Sequence, residues 1–148
     1  SQCMFAGGIT MRETWYIKKI NGTYTRPVNA DQLNYSWQLA DPSPWTTIRM
    51  YTAYWFPKVE VKQYSKDNYN SNYRTIYSSS GVSAGDIVIF TSGLFGVTTW
   101  GAHAMIVTGF DTVNKHILVS GHTNDRLNAK LYDLTALSNY TGIDFYKF

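Results

Sequence analysis

The chain has 148 residues, enough for one domain to bury a core without metal or disulfide staples. Thirteen Lys and Arg against ten Asp and Glu leave a net charge of +3 with no basic run, which argues against a nucleic-acid groove. The single cysteine, Cys3, excludes an intramolecular disulfide, and no apolar run is long enough to span a bilayer. His103, His116 and His122, with no Cys pair and no His-Glu-x-x-His pattern, make no metal site, and nothing in the sequence calls for a cofactor.

Residues 1–6 read as the last turns of a helix, ended by Gly7-Gly8 in the left-handed capping position. A helix that opens in mid-element implies further residues ahead of Ser1. From 9 to 39 the sequence is irregular, and Trp15, Tyr16, Tyr24, Tyr35 and Trp37 lie among Asn, Gly and Thr, as expected of extended loops and short strands whose aromatics cover the core or line a groove. Ser43 and Pro44 then make a helix start, with Ser43 capping exposed amides and Pro44 suiting the first position. Trp45, Ile48, Tyr51, Thr52 and Trp55 follow at three- and four-residue spacing until Pro57 stops the pattern, giving a helix with one aromatic face. Residues 62–80 are polar and rich in Asn, Ser and Tyr, and are expected to be a surface excursion or a poorly ordered loop.

Residues 83–123 hold three short apolar runs bounded by turn formers: IVIF, AMIVTGF and HILVS. They predict a three-stranded antiparallel meander. If Asp111-Thr112-Val113-Asn114 is the second turn, Phe110 faces Lys115, His116 faces Gly109 and His103 faces His122. Directly opposed residues share a face with their β-carbons about 5 Å apart, so one imidazole is placed as a general base and the other as the group that orients it. His116 stands apart and is expected to be structural. Beyond the meander, 127–132 read as extended, Asp133 as the cap of a short helix reaching Leu137, and 143–148 as a closing strand. No repeat or second domain emerges, so 1–148 is expected to be a single domain.

The fragments SQCMFAGG, PSPWTTIRMYTAYWF, GDIVIF, HAMIVTG, VSGHTNDRLNAKL and FYKF follow one another over almost the whole chain. In that order they resemble the amidase-domain family of bacterial papain-like hydrolases, similar to the NlpC/P60 and CHAP cell-wall peptidases. The resemblance implies an α+β papain-like (NlpC/P60-like) domain, an antiparallel sheet packed against helices, with its N-terminal helix truncated. It also implies a cysteine nucleophile at a helix start, just upstream of Ser1, where the helix dipole and a neighbouring His favour the thiolate. Cys3 then falls in the helix core. In the alternative register Cys3 is itself the nucleophile, close to the helix end where the dipole opposes a thiolate.

The family's base matches His103, with Ala102 where an Asp often stands. The third polar residue matches His122, with Asn124 and Asp125 as alternatives. Trp100, just ahead of His103, is expected to wall the substrate cleft or to pack, and Asp86 to serve a turn. What the resemblance implies is a secreted or envelope-associated monomer that hydrolyses amides of peptidoglycan or peptide substrates through Cys, His103 and a polar third group. The rivals are a wall- or glycan-binding module on the same scaffold, favoured by the twelve Tyr and five Trp, and acyl transfer in which an amine replaces water.

Overall fold

Val, Ile and aromatic residues dominate the segments on either side of the meander turns, and they build a sheet larger than the meander itself. The computed structural model describes Met4, Gly8 and residues 18–20, 23–25, 48–94, 98–121 and 126–148. The chain divides into two compact units, Ser1–Lys58 and Val59–Phe148. In the first unit, β1 (Lys18–Ile20) pairs antiparallel with β2 (Thr23–Thr25), Lys18 facing Thr25. Helix α1 (Ile48–Trp55) occupies the described part of the helix expected at 44–55, and Pro57 lies in the turn that follows it. The buried Tyr51 donates its hydroxyl hydrogen to Met4 Sδ at 3.1 Å. Cys3 lies outside the described residues.

The second unit is a six-stranded antiparallel sheet in the order β3 (Glu60–Ser65), β8 (Gly142–Lys147), β4 (Ile87–Leu94), β5 (Thr98–Asp111), β6 (His116–Gly121) and β7 (Arg126–Lys130). The expected meander is its β4-β5-β6 portion. Strand β8 inserts between β3 and β4, which is why residues 142–146 and 87–91 are buried on both faces, with Asp144 and Thr91 the polar residues among them. One sheet face carries Phe90, Val88, Met105, Val107, Ile117, Val119, Ile143 and Phe145. Helices α2 (Lys66–Ser79) and α3 (Leu131–Leu137) supply Tyr69, Ile76 and Leu131 to the same cluster. Side chains of this size gain about 1.5–3 kcal/mol each on full burial.

This corrects the expected papain-like architecture. The sheet is the body of the unit, and its two helices are short and contribute few buried residues: Tyr69 and Ile76 from α2, Leu131 and Thr135 from α3. The reason is local. Residues 60–65 and 142–147 extend the meander into six strands, so burial is achieved mainly by strand on strand rather than by a helical half.

The polar stretch 62–80 is likewise ordered, as the end of β3 followed by α2. Ser65 caps α2 by accepting from Asn68 N at 3.2 Å, and Tyr69, Tyr73, Ile76 and Tyr77 put one aromatic stripe on the sheet. The second meander turn is also displaced by one residue. Asp111 pairs with His116 and Phe110 with Ile117, leaving 112–115 as the turn. Asp111 Oδ1 accepts from Val113 N and Asn114 N at 3.1 and 3.0 Å, and Lys115 takes φ +60° to close the loop. His116 therefore faces Asp111 rather than Gly109. Helix α3 begins at Leu131, with Lys130 rather than Asp133 at its cap and Asp133 in the first turn.

Two strand irregularities flank β6 at the same level, one in β5 and one in β7. Thr108 is an extra residue in β5, 127–128 hold the extra residue in β7, and Ser120 lies between them. Ser120 Oγ sits 3.1 Å from Thr108 Oγ1 and accepts from Asn128 N at 2.9 Å, while Asn128 adopts φ +52°.

Candidate active site

His103 stands where β5 is irregular. Phe90 pairs with His103 but Thr91 pairs with Gly101, so Ala102 is an extra residue in β5 immediately before the histidine. A bulge kinks and twists its strand and re-aims the next side chain, and such irregularities recur beside active sites. Opposed to Phe90, His103 lies on the helix-covered face, and the two rings are 6.0 Å apart at 31°. The side chain is half-buried.

Beside it opens a pocket of ≈ 240 Å³. Phe90, Met105, Leu134, Leu137 and Tyr140 give it apolar walls, and His103, Arg126, Asp133 and Ser138 give it polar ones. The residues come from β4, β5, β7, α3 and the segment before β8. Gly121 makes room for the floor: a β-carbon there would come within 3.0 Å of Met105 Cγ and Cε. Burial, and secondarily the Arg126 guanidinium, hold the His103 imidazolium below its ordinary pKa, so the neutral, proton-accepting ring is favoured. That is the form a general base needs near neutral pH.

The other residues singled out from the sequence fall as follows. His122, Asn124 and Asp125 lie outside the described residues. Trp100 is 55 % exposed, pairs with Ser92, and is not among the described residues lining the His103 pocket. His116 is buried and stacks on Tyr73 at 4.8 Å and 3°, with Tyr132 5.9 Å away, so it ties β6 to α2 and α3. Asp86 is a tether: its carboxylate accepts from Ser83 N at 2.8 Å and from Phe148 N at 2.9 Å. Sequence reasoning did not place Arg126, Asp133 or Tyr140 at the site, Asp133 being read only as a helix cap, because only the folded arrangement carries them to His103.

Among the described residues no group of three or more His, Cys, Asp or Glu could hold a metal ion, and no helix is long and apolar enough to cross a membrane.

A family model described as "Putative amidase domain" matches residues 1–146. The chain belongs to the putative amidase domain family. The membership points to a hydrolase-like role and covers both units, including every residue of the His103 pocket. No curated protein matches the chain, and no solved structure matches it.

Proposed function

We propose that the chain is a cysteine-dependent amide hydrolase acting on peptide bonds, with His103 as its general base and peptidoglycan peptides as its substrate. The observation that carries this reading is a half-buried histidine, set by a strand bulge at an apolar pocket, in a chain of an amidase family. The nucleophile in this reading is a thiol, either a cysteine preceding Ser1, as the motif resemblance implies, or Cys3. The peptidoglycan substrate and a secreted or envelope location rest on that resemblance alone; His122 as the group orienting His103 rests on it and on the strand pairing expected from the sequence, whose register is displaced at the turn.

The reaction then runs in two halves. Neutral His103 takes the thiol proton, and the thiolate adds to the amide carbonyl carbon. When the tetrahedral adduct collapses, the carbon–nitrogen bond breaks and the imidazolium returns the proton to the leaving amine. His103, neutral again, takes a proton from water as it attacks the thioester, and returns it to the thiolate leaving group. Losing a general base commonly costs about 10²–10⁴-fold in rate.

The test is release of peptides from purified peptidoglycan by the full gene product, followed by mass spectrometry. Release is expected to stop on thiol alkylation and to fall by about 10²-fold or more in His103→Ala, with wall binding retained. Well-folded protein that binds walls of several types and releases nothing would replace this reading with a binding module. The exposed Trp100 is the observation that favours that second reading, since an exposed aromatic face suits a saccharide ring.

A further inference from the structure

The charged residues of the His103 pocket are not used up by the described residues around them. Among the described residues, neither the Arg126 guanidinium nor the Asp133 carboxylate has an ion-pair or hydrogen-bond partner, although both line the same pocket. Arg126 is exposed, yet its strand position is fixed. It pairs with Gly121 across β6, and the irregularity at 127–128 that follows is tied to Ser120 through Asn128 N. A guanidinium presents a planar fork of donors that matches a carboxylate in two parallel bonds.

The pocket is small. At ≈ 240 Å³ it falls below the range of about 300–1,000 Å³ typical of sites for drug-sized molecules, and suits a single amino-acid residue. Its apolar part, Phe90, Leu134, Leu137 and Tyr140 over Met105, suits an aliphatic side chain. With a cation at one wall and His103 at another, the residue that fits has an anionic end and an amide bond within reach of the imidazole.

We infer that the pocket is a terminal-residue subsite, in which Arg126 pairs with the free carboxylate of a peptide's C-terminal residue while that residue's aliphatic side chain lies on Phe90, Leu134 and Tyr140. The inference rests on the hydrolase reading for the fate of the bound peptide, but not for its binding. If the bond is cut, the cut falls at the last amide of the chain, so the protein trims peptide ends rather than opening chains in their middle. Asp133 keeps the pocket from being uniformly cationic, which favours a ligand with one carboxylate over a dianion.

The probes are N-acetyl-Ala-Ala-Leu with a free carboxylate and the same peptide as its C-terminal carboxamide, titrated by calorimetry into the full chain, with hydrolysis followed in the same samples. The acid is expected to bind at least tenfold tighter than the carboxamide. Arg126→Gln is expected to erase that preference, and Leu134→Ala to weaken both peptides alike. Equal binding of acid and carboxamide, no binding of either at millimolar concentration, or an unchanged preference in Arg126→Gln would overturn the inference. Carboxylate-dependent binding without cleavage supports the subsite and removes the hydrolase reading. Cleavage without carboxylate preference supports the hydrolase and overturns the subsite.

Discussion

Asp144 is the least comfortable side chain in the sheet. It lies between Ile89 of β4 and Gln63 of β3, on the face opposite His103, and is only 5 % exposed. Gln63 Nε2 donates to its Oδ2 at 3.1 Å, and among the described residues Oδ1 has no hydrogen-bond partner. Burial pushes its carboxyl from the ordinary 3.8 up to about 6, with the Gln63 bond pulling the other way. The folded state therefore holds this proton more tightly than the unfolded chain does. Its contribution is fully present below the ordinary 3.8 and is lost as pH rises through about 6.

Asp144→Asn stays neutral, and is expected to gain about 2–3 kcal/mol over the native chain above pH 7, shrinking towards zero near pH 4. Thermal melts of both proteins across that range check the sign. His103 shifts the opposite way, downward from 6.5. A proton NMR titration of its ring should give a midpoint below 6.5, and Arg126→Gln should move that midpoint upward, because removing the cation relieves the imidazolium. The histidine itself was legible in the sequence as a polar residue ahead of an apolar run, although its strand begins earlier, at Thr98. Its surroundings were not, since Arg126, Asp133 and Tyr140 lie more than twenty residues away and reach it only through the sheet order.

At the scale of elements, α2 shows what the sequence carried and how it was missed. Residues 62–80 look unstructured when polarity is weighed, because Asn and Ser fill the exposed positions. Yet Tyr69, Tyr73, Ile76 and Tyr77 recur at helical spacing, and tyrosine buries a large ring while keeping a polar tip. The helix bends at Asn72, whose φ of −123° departs from helical geometry and whose Nδ2 donates to Asn68 O and Oδ1 at 3.1 Å. With so little propensity in its favour, α2 depends on its cap and its stripe. Ser65→Ala is expected to cost about 1 kcal/mol and Tyr69→Ala about 3–5 kcal/mol, both read from denaturant midpoints.

The meander was legible because its three apolar runs are short and bounded by turn formers. Its register was not. The one-residue displacement of the turn, which Lys115 closes at φ +60°, and the extra residue Thr108 both shift the pairing, and neither leaves a mark in hydrophobic patterning.

For the whole second unit, the decisive feature is that β8, the strand of the described chain made last, lies inside the sheet. Strands β3 and β4 are never neighbours; each pairs with β8, and among the described strands β3 has no other partner. As the chain leaves the ribosome, the meander can assemble as soon as β6 emerges, but the exposed edges of β3 and β4 must wait for residues 142–147. Open edges with their hydrogen-bonding groups unpaired invite pairing with other chains. A fragment covering residues 1–141 is thus expected to self-associate and to lack a cooperative melt, by light scattering and circular dichroism; a monomeric fragment with a sharp melt would contradict this order of events. Newly made protein is consequently most exposed to aggregation in the interval between synthesis of β4 and arrival of β8, and a chaperone that shields strand edges would act on it then.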